Sequence, residues 1–150
     1  MANQNDSKFI DAMLELEDHE MAQYFFQKHR YLQDDSTYWN TLGSLWKFGG
    51  TVLQQDLWLR LLRSDRKNSH KIMKGSERKA WRRLKGNLTI YRAYNTVEEL
   101  DTSISWTLDR KVAEKFTLDG RRGIATLVID ASEVFAYFNR RNESEVLINV

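Results

Sequence analysis

The 150-residue chain contains no cysteine, only three histidines, and no apolar run that approaches a membrane span. Without cysteine there is no disulfide framework, no thiolate nucleophile and no Cys-containing zinc site. His19, His29 and His70 are scattered and lack the i, i+4 pairing of a metalloenzyme helix, so no metal site is expected. The chain also lacks G-x-S-x-G, G-x-G-x-x-G and G-x-x-x-x-G-K-[ST]. A nucleophile elbow, a Rossmann unit and a P-loop are therefore unsupported. The polar stretch Met1 to Ile10 has no signal-peptide pattern, and the expectation is a soluble, cytoplasmic protein.

What is present suits one α+β domain. Hydrophobic residues make up 41% and aromatics 12%, enough for a packed core and too much for a disordered chain. The net charge of +2 hides an asymmetry: residues 1–40 are acidic, 41–92 strongly basic and 93–150 mildly acidic. Most of the basic excess lies between Arg60 and Lys85, a stripe able to attract the phosphates of a nucleic acid or dinucleotide, or equally to serve as a solvated helical face.

Apolar residues at three- and four-residue steps predict one or two helices from Asp6 to about Gln33, with Asp6 or Ser7 as cap. A further helix runs from the Asp34-Asp35-Ser36 cap signal to the Gly49-Gly50 stop. Another opens at Thr51, and a short one runs from Ser76 to Leu84 before Gly86-Asn87. Beyond Asn87 the period changes. Strands are expected over Leu88–Tyr94, Ser103–Thr107, Gly123–Asp130, Val134–Phe138 and Glu143–Val150, with one helix from Asp109 to about Phe116. The organisation is thus a helical lead-in over 1–86 and a strand-rich part over 87–150, read as a single domain sharing one core.

Period-two geometry places the hydroxyls of Ser103, Ser105 and Thr107 on one strand face, and the carboxylates of Glu143 and Glu145 together near the start of the last strand. Arg92 ends an apolar strand on the face of Leu88 and Ile90. Each feature alone is ordinary surface chemistry. In this order they are more specific.

Tyr91-Arg92, the run Ser105-Trp106-Thr107 leading into Asp109 to Phe116, and Glu143-Ser144-Glu145-Val146-Leu147 resemble the Arg, Ser-Thr-Ser and Glu-x-Glu motifs of the arginine-serine-glutamate mono-ADP-ribosyltransferases. The resemblance covers residues 88–150, and the helical half resembles the lead-in of small, mostly phage-encoded members. The motifs depart from the pattern at Trp106, at Thr107 and at Ala93, which stands where a Gly often follows the motif arginine.

The resemblance implies N-terminal helices packed on a mainly antiparallel, split β-sheet, with NAD as substrate and no metal. It implies that Glu145 stabilises the ribosyl cation and that Glu143 aligns or deprotonates the acceptor. Arg92 would grip phosphate or ribose and Ser105 would orient Glu145, with Tyr91 and Thr107 completing the NAD site. A macromolecular acceptor, expected to be a protein, would meet the loop Phe138–Asn142 through Phe138, Arg140 and Arg141. For a phage-encoded chain that acceptor would be a host or defence component in the host cytoplasm. Two other readings stay open: an NAD glycohydrolase, and a non-enzymatic nucleic-acid-binding or inhibitor protein acting through segment 60–85.

Overall fold

A computed structural model describes residues 4–49 and 51–150, so Gly50 of the expected Gly-Gly stop lies outside the described residues. The chain divides into two compact units at Ile72/Met73. Among the described residues the fold is α+β, with six α-helices and a five-stranded antiparallel sheet, and no helix is long and apolar enough to cross a membrane.

The first unit is helical: α1 (Gln4–Leu14), α2 (Asp18–Lys28), α3 (Asp35–Trp46) and α4 (Gln55–Leu62), closed by a 3-10 turn at Ser69–Ile72. Its interior is aromatic. Phe25, Tyr38, Trp39 and Trp58 are buried, with the Phe25 and Tyr38 rings 5.3 Å apart and Trp46 meeting Trp58 edge-on at 5.0 Å. Tyr38 satisfies its buried hydroxyl by donating to the Leu61 carbonyl at 2.7 Å. Asp34 caps α3 as expected, accepting from the Thr37 amide at 3.1 Å.

Asp6 is not an N-cap. It lies inside α1, fully buried, and its carboxylate accepts the Gln33 and Asp34 amides at 2.8 Å each, tying α1 to the entrance of α3. Thr51 likewise opens no helix. Residues 51–53 form a turn that buries Leu53, and α4 starts one turn later behind an extended Gln54.

The second unit carries α5 (Gly75–Arg82), β1 (Asn87–Tyr94), β2 (Ser105–Thr107), α6 (Arg110–Lys115), β3 (Gly123–Asp130), β4 (Val134–Phe138) and β5 (Glu145–Ile148). The strand order is β3-β1-β2-β5-β4, antiparallel throughout. One sheet face packs Ile90, Trp106, Val134, Val146 and Ile148 into a core that Trp81, Leu84 and Leu88 complete. Helix α5 covers the outer side of β4, where Trp81 donates its indole N–H to the Val134 carbonyl at 3.1 Å.

Pairing is uneven along this sheet. β1 and β3 match over their full length, from Asn87↔Asp130 to Tyr94↔Gly123, and β2 pairs β5 at all three of its residues. Between β1 and β2 the register holds at Tyr91↔Thr107 alone. The sheet is continuous in order and parts at its centre.

Candidate active site

A cleft of about 230 Å³ opens where β1 and β2 part. Its walls are Tyr91, Arg92 and Ala93 of β1, Ser105 to Thr107 of β2, Val112, Ala113 and Phe116 at α6, Arg122 before β3, Glu143 before β5 and Glu145 at its start. Tyr91, Arg92, Ser105, Thr107, Glu143 and Glu145, separate in sequence, thus meet around one cavity.

Register explains the carboxylate. Thr107 stands opposite Glu145 on β5, so Ser105, two residues away on the same face, is its diagonal neighbour. The Ser105 hydroxyl donates to Glu145 Oε2, which fixes the carboxylate toward the cleft. Thr107 works on the main chain. Its hydroxyl donates to the Glu143 carbonyl at 2.6 Å and accepts the Asp109 amide at 3.1 Å, joining the start of β5 to the entrance of α6. Asp109 in turn caps α6 through the Lys111 amide at 3.0 Å.

Glu143 lies outside the strand. Ser144 has φ of +45°, a left-handed conformation a side chain rarely takes, and it bends the chain between the two carboxylates. Ser144 is held there by its N–H, which donates to Asn139 Oδ1 at 3.1 Å, and by its carbonyl, which accepts from the Leu108 amide at 3.0 Å. Ser103 is outside β2 as well. Its buried hydroxyl donates to the Glu99 carbonyl at 2.6 Å, closing a 3-10 turn at Val97–Asp101, so the cleft receives two hydroxyls rather than three.

By alternation Arg92 shares the Ile90 face, opposite to Ser105 and Glu145. It reaches the cleft because the strands separate beyond Tyr91↔Thr107. Its guanidinium fills that gap and donates to the Ser105 carbonyl at 2.6 Å. Its Nε is buried without a hydrogen-bond partner. Burial lowers the Arg92 pKa below the usual value; Glu99 draws it back up, Arg122 lowers it and Glu145 raises it. An anion entering the cleft would offset that desolvation.

Arg122 is a second cation that the sequence reading missed. It sits in the polar turn Gly120–Gly123, with no periodicity or motif to single it out. Its guanidinium donates to the Ala93 carbonyl at 3.2 Å and the Phe116 carbonyl at 3.2 Å, with Glu99 at 3.9 Å, and its Nε is also buried and unpartnered. Both arginines are aimed chiefly by neutral carbonyls, with the Glu99 carboxylate as the acidic partner of Arg122.

The expected acceptor loop is different. Phe138 is core, at 3% exposure, and Arg140 stacks over its ring at 4.5 Å while pairing with the buried Glu77 at 3.6 Å. Packing therefore uses both side chains, and of the three only Arg141 is exposed. In the basic segment, Arg66 is withdrawn from solvent by Asp35, the His29 and Leu32 carbonyls and the Tyr38 ring. The rest of the stripe is divided between the two units. Comparison with family models, with curated proteins and with solved structures finds no match for this chain.

Proposed function

We propose that the cleft binds NAD and transfers its ADP-ribose to a macromolecule, with an ADP-ribosyltransferase-like split sheet as the scaffold. The observation that carries this reading is the Ser105-oriented Glu145 carboxylate in the same cavity as two arginines held by main-chain carbonyls. Heterolysis of the bond between ribose C1′ and the nicotinamide nitrogen sends the electron pair to the ring, which leaves as neutral nicotinamide. The ribosyl cation left behind calls for a carboxylate at its 2′-hydroxyl side. Glu145 meets that need and Ser105 keeps it aligned. Arg92 and Arg122 hold the diphosphate, while Tyr91, Thr107 and Phe116 shape the walls. The acceptor nucleophile then bonds to C1′ and gives up its proton, with Glu143 positioned to receive it.

The test is incubation of the protein with NAD labelled in its adenylate half and a cell lysate, following nicotinamide release and the ADP-ribose mass on the acceptor. Wild type should label an acceptor. Glu145→Gln should lower the rate about 100-fold or more, and Arg92→Lys should raise the KM for NAD more than it lowers kcat. Full activity in Glu145→Gln, or no NAD turnover by wild type, refutes the assignment. NAD hydrolysis without an acceptor makes water the nucleophile and the protein a glycohydrolase.

A further inference from the structure

The sheet has two edges, and the protein treats them differently. The outer edge of β4 is occupied: its Val134 carbonyl accepts from Trp81, the Tyr137 amide points to Met73 Sδ at 3.3 Å, and the Asn139 amide just beyond it donates to Glu77 at 2.9 Å. The outer edge of β3 is not. Antiparallel geometry turns alternate N–H and C=O groups of β3 away from β1, and among the described residues no hydrogen bond satisfies them.

β3 also lacks the usual obstacles to edge pairing. Its register with β1 runs through eight consecutive pairs without a bulge, and Gly-Ile-Ala-Thr-Leu-Val-Ile-Asp contains no Lys, Arg or Pro. Leu127 at 39% and Val128 at 59% exposure present apolar surface on opposite faces of the strand. Charge is distributed by end: exposed Arg121 precedes the strand, and exposed Asp130 and Glu133 follow it.

We propose that β3 is the contact edge of a homodimer, pairing antiparallel with β3 of a second copy to join the two sheets into one. A two-fold axis normal to the sheet maps each face onto itself, so the strand must pair about one of its own residues. Centred on Leu127, the register sets Leu127 against Leu127 and Thr126 against Val128, and it brings the Arg121 end of each copy toward the Asp130–Glu133 end of the other. The edge is then complementary to itself in hydrogen bonding, apolar contact and charge, which favours a second copy over an unrelated strand. The inference does not depend on the reaction proposed for the cleft.

Analytical ultracentrifugation of the full chain from about 1 to 100 µM tests it. Wild type should sediment as a dimer at the upper end. Val128→Lys, at a solvent-exposed position where folding tolerates lysine, should raise the dissociation constant about 100-fold with an unchanged melting curve. Arg121→Glu and Glu133→Arg should each weaken the dimer, and the two together should restore it. A monomer throughout the range, a dimer that Val128→Lys leaves intact, or a double variant no stronger than the singles overturns the proposal.

Discussion

Replacing Glu77 by alanine should destabilise the sheet-bearing unit more than any other single change to a polar side chain there. The Glu77 side chain is 4% exposed. Oε1 accepts the Lys74 amide at 2.8 Å and so closes the first turn of α5; Oε2 accepts the Asn139 amide at 2.9 Å and lies 3.6 Å from Arg140 Nε. Alanine deprives two amides and a largely buried guanidinium of this carboxylate together. A buried donor left unmade costs about 1–3 kcal/mol, and breaking a buried ion pair from one side about 3–5 kcal/mol. Lys74 and Asn139 lie at the surface, where water replaces part of the loss, so about 3 kcal/mol is the expected net cost.

For a unit the size of residues 73–150, each kcal/mol is worth about 4–8 °C, which makes the fall in Tm about 12 °C or more. Thermal melting followed by circular dichroism gives the shift, and hydrogen exchange at the Asn139 amide locates it. Arg140→Ala should cost less, because Glu77 keeps both amide bonds. A Glu77→Ala penalty below about 1 kcal/mol, or an equal penalty for Arg140→Ala, would show that the carboxylate does not clasp α5 to the β4–β5 loop.

Two further outcomes concern the helical unit. A Cβ on Gly43 of α3 would stand 2.3 Å from the Ile72 carbonyl oxygen, a main-chain atom that cannot swing aside; Gly43→Ala should therefore cost about 1–3 kcal/mol by urea denaturation, and a neutral result would disprove the close approach. Burial, reinforced by Arg66 and Arg30, holds the His29 pKa below its ordinary 6.5. The unfolded chain then binds this proton first as pH falls, so stability contributed by neutral His29 is complete above 6.5, declines below it and levels off beneath the folded value. Urea midpoints between about pH 8 and pH 5 should show this decline, and His29→Gln should flatten it.

Local signals made several elements legible. The β-branched and aromatic runs gave β3 and β4 their bounds, Gly123–Asp130 and Val134–Phe138, and the Asp109 and Asp34 caps marked the starts of α6 and α3. Where a tertiary bond competes with local preference, the reading failed. Asp6 has the chemistry of a cap but is drawn to the amides of Gln33 and Asp34. Ser103 fits the strand pattern but is taken by the Glu99 carbonyl. Arg140 looks like loop charge until Glu77, 63 positions earlier, is seen beside it. In the cleft, alternation placed Ser105 and Thr107 correctly on one face; that Glu145 shares it follows from the β2–β5 register, which one strand's pattern does not contain. Alternation gave no sign that Arg92, on the other face, passes through a gap between strands, or that Arg122 joins it from a turn.

The carbonyls that aim the cleft's side chains belong to Ala93, Ser105, Phe116 and Glu143. A carbonyl survives every amino-acid replacement at its own position. Variation at Ala93 or Phe116 would thus reshape the wall while leaving Arg122 pointed at the same place. Length changes are another matter. One residue added between β1 and β2, or between α6 and β3, would shift these carbonyls out of line and disarm an arginine that no substitution had touched. In descendants of this chain, the site would be lost sooner by insertion and deletion in those two connections than by point mutation of its walls.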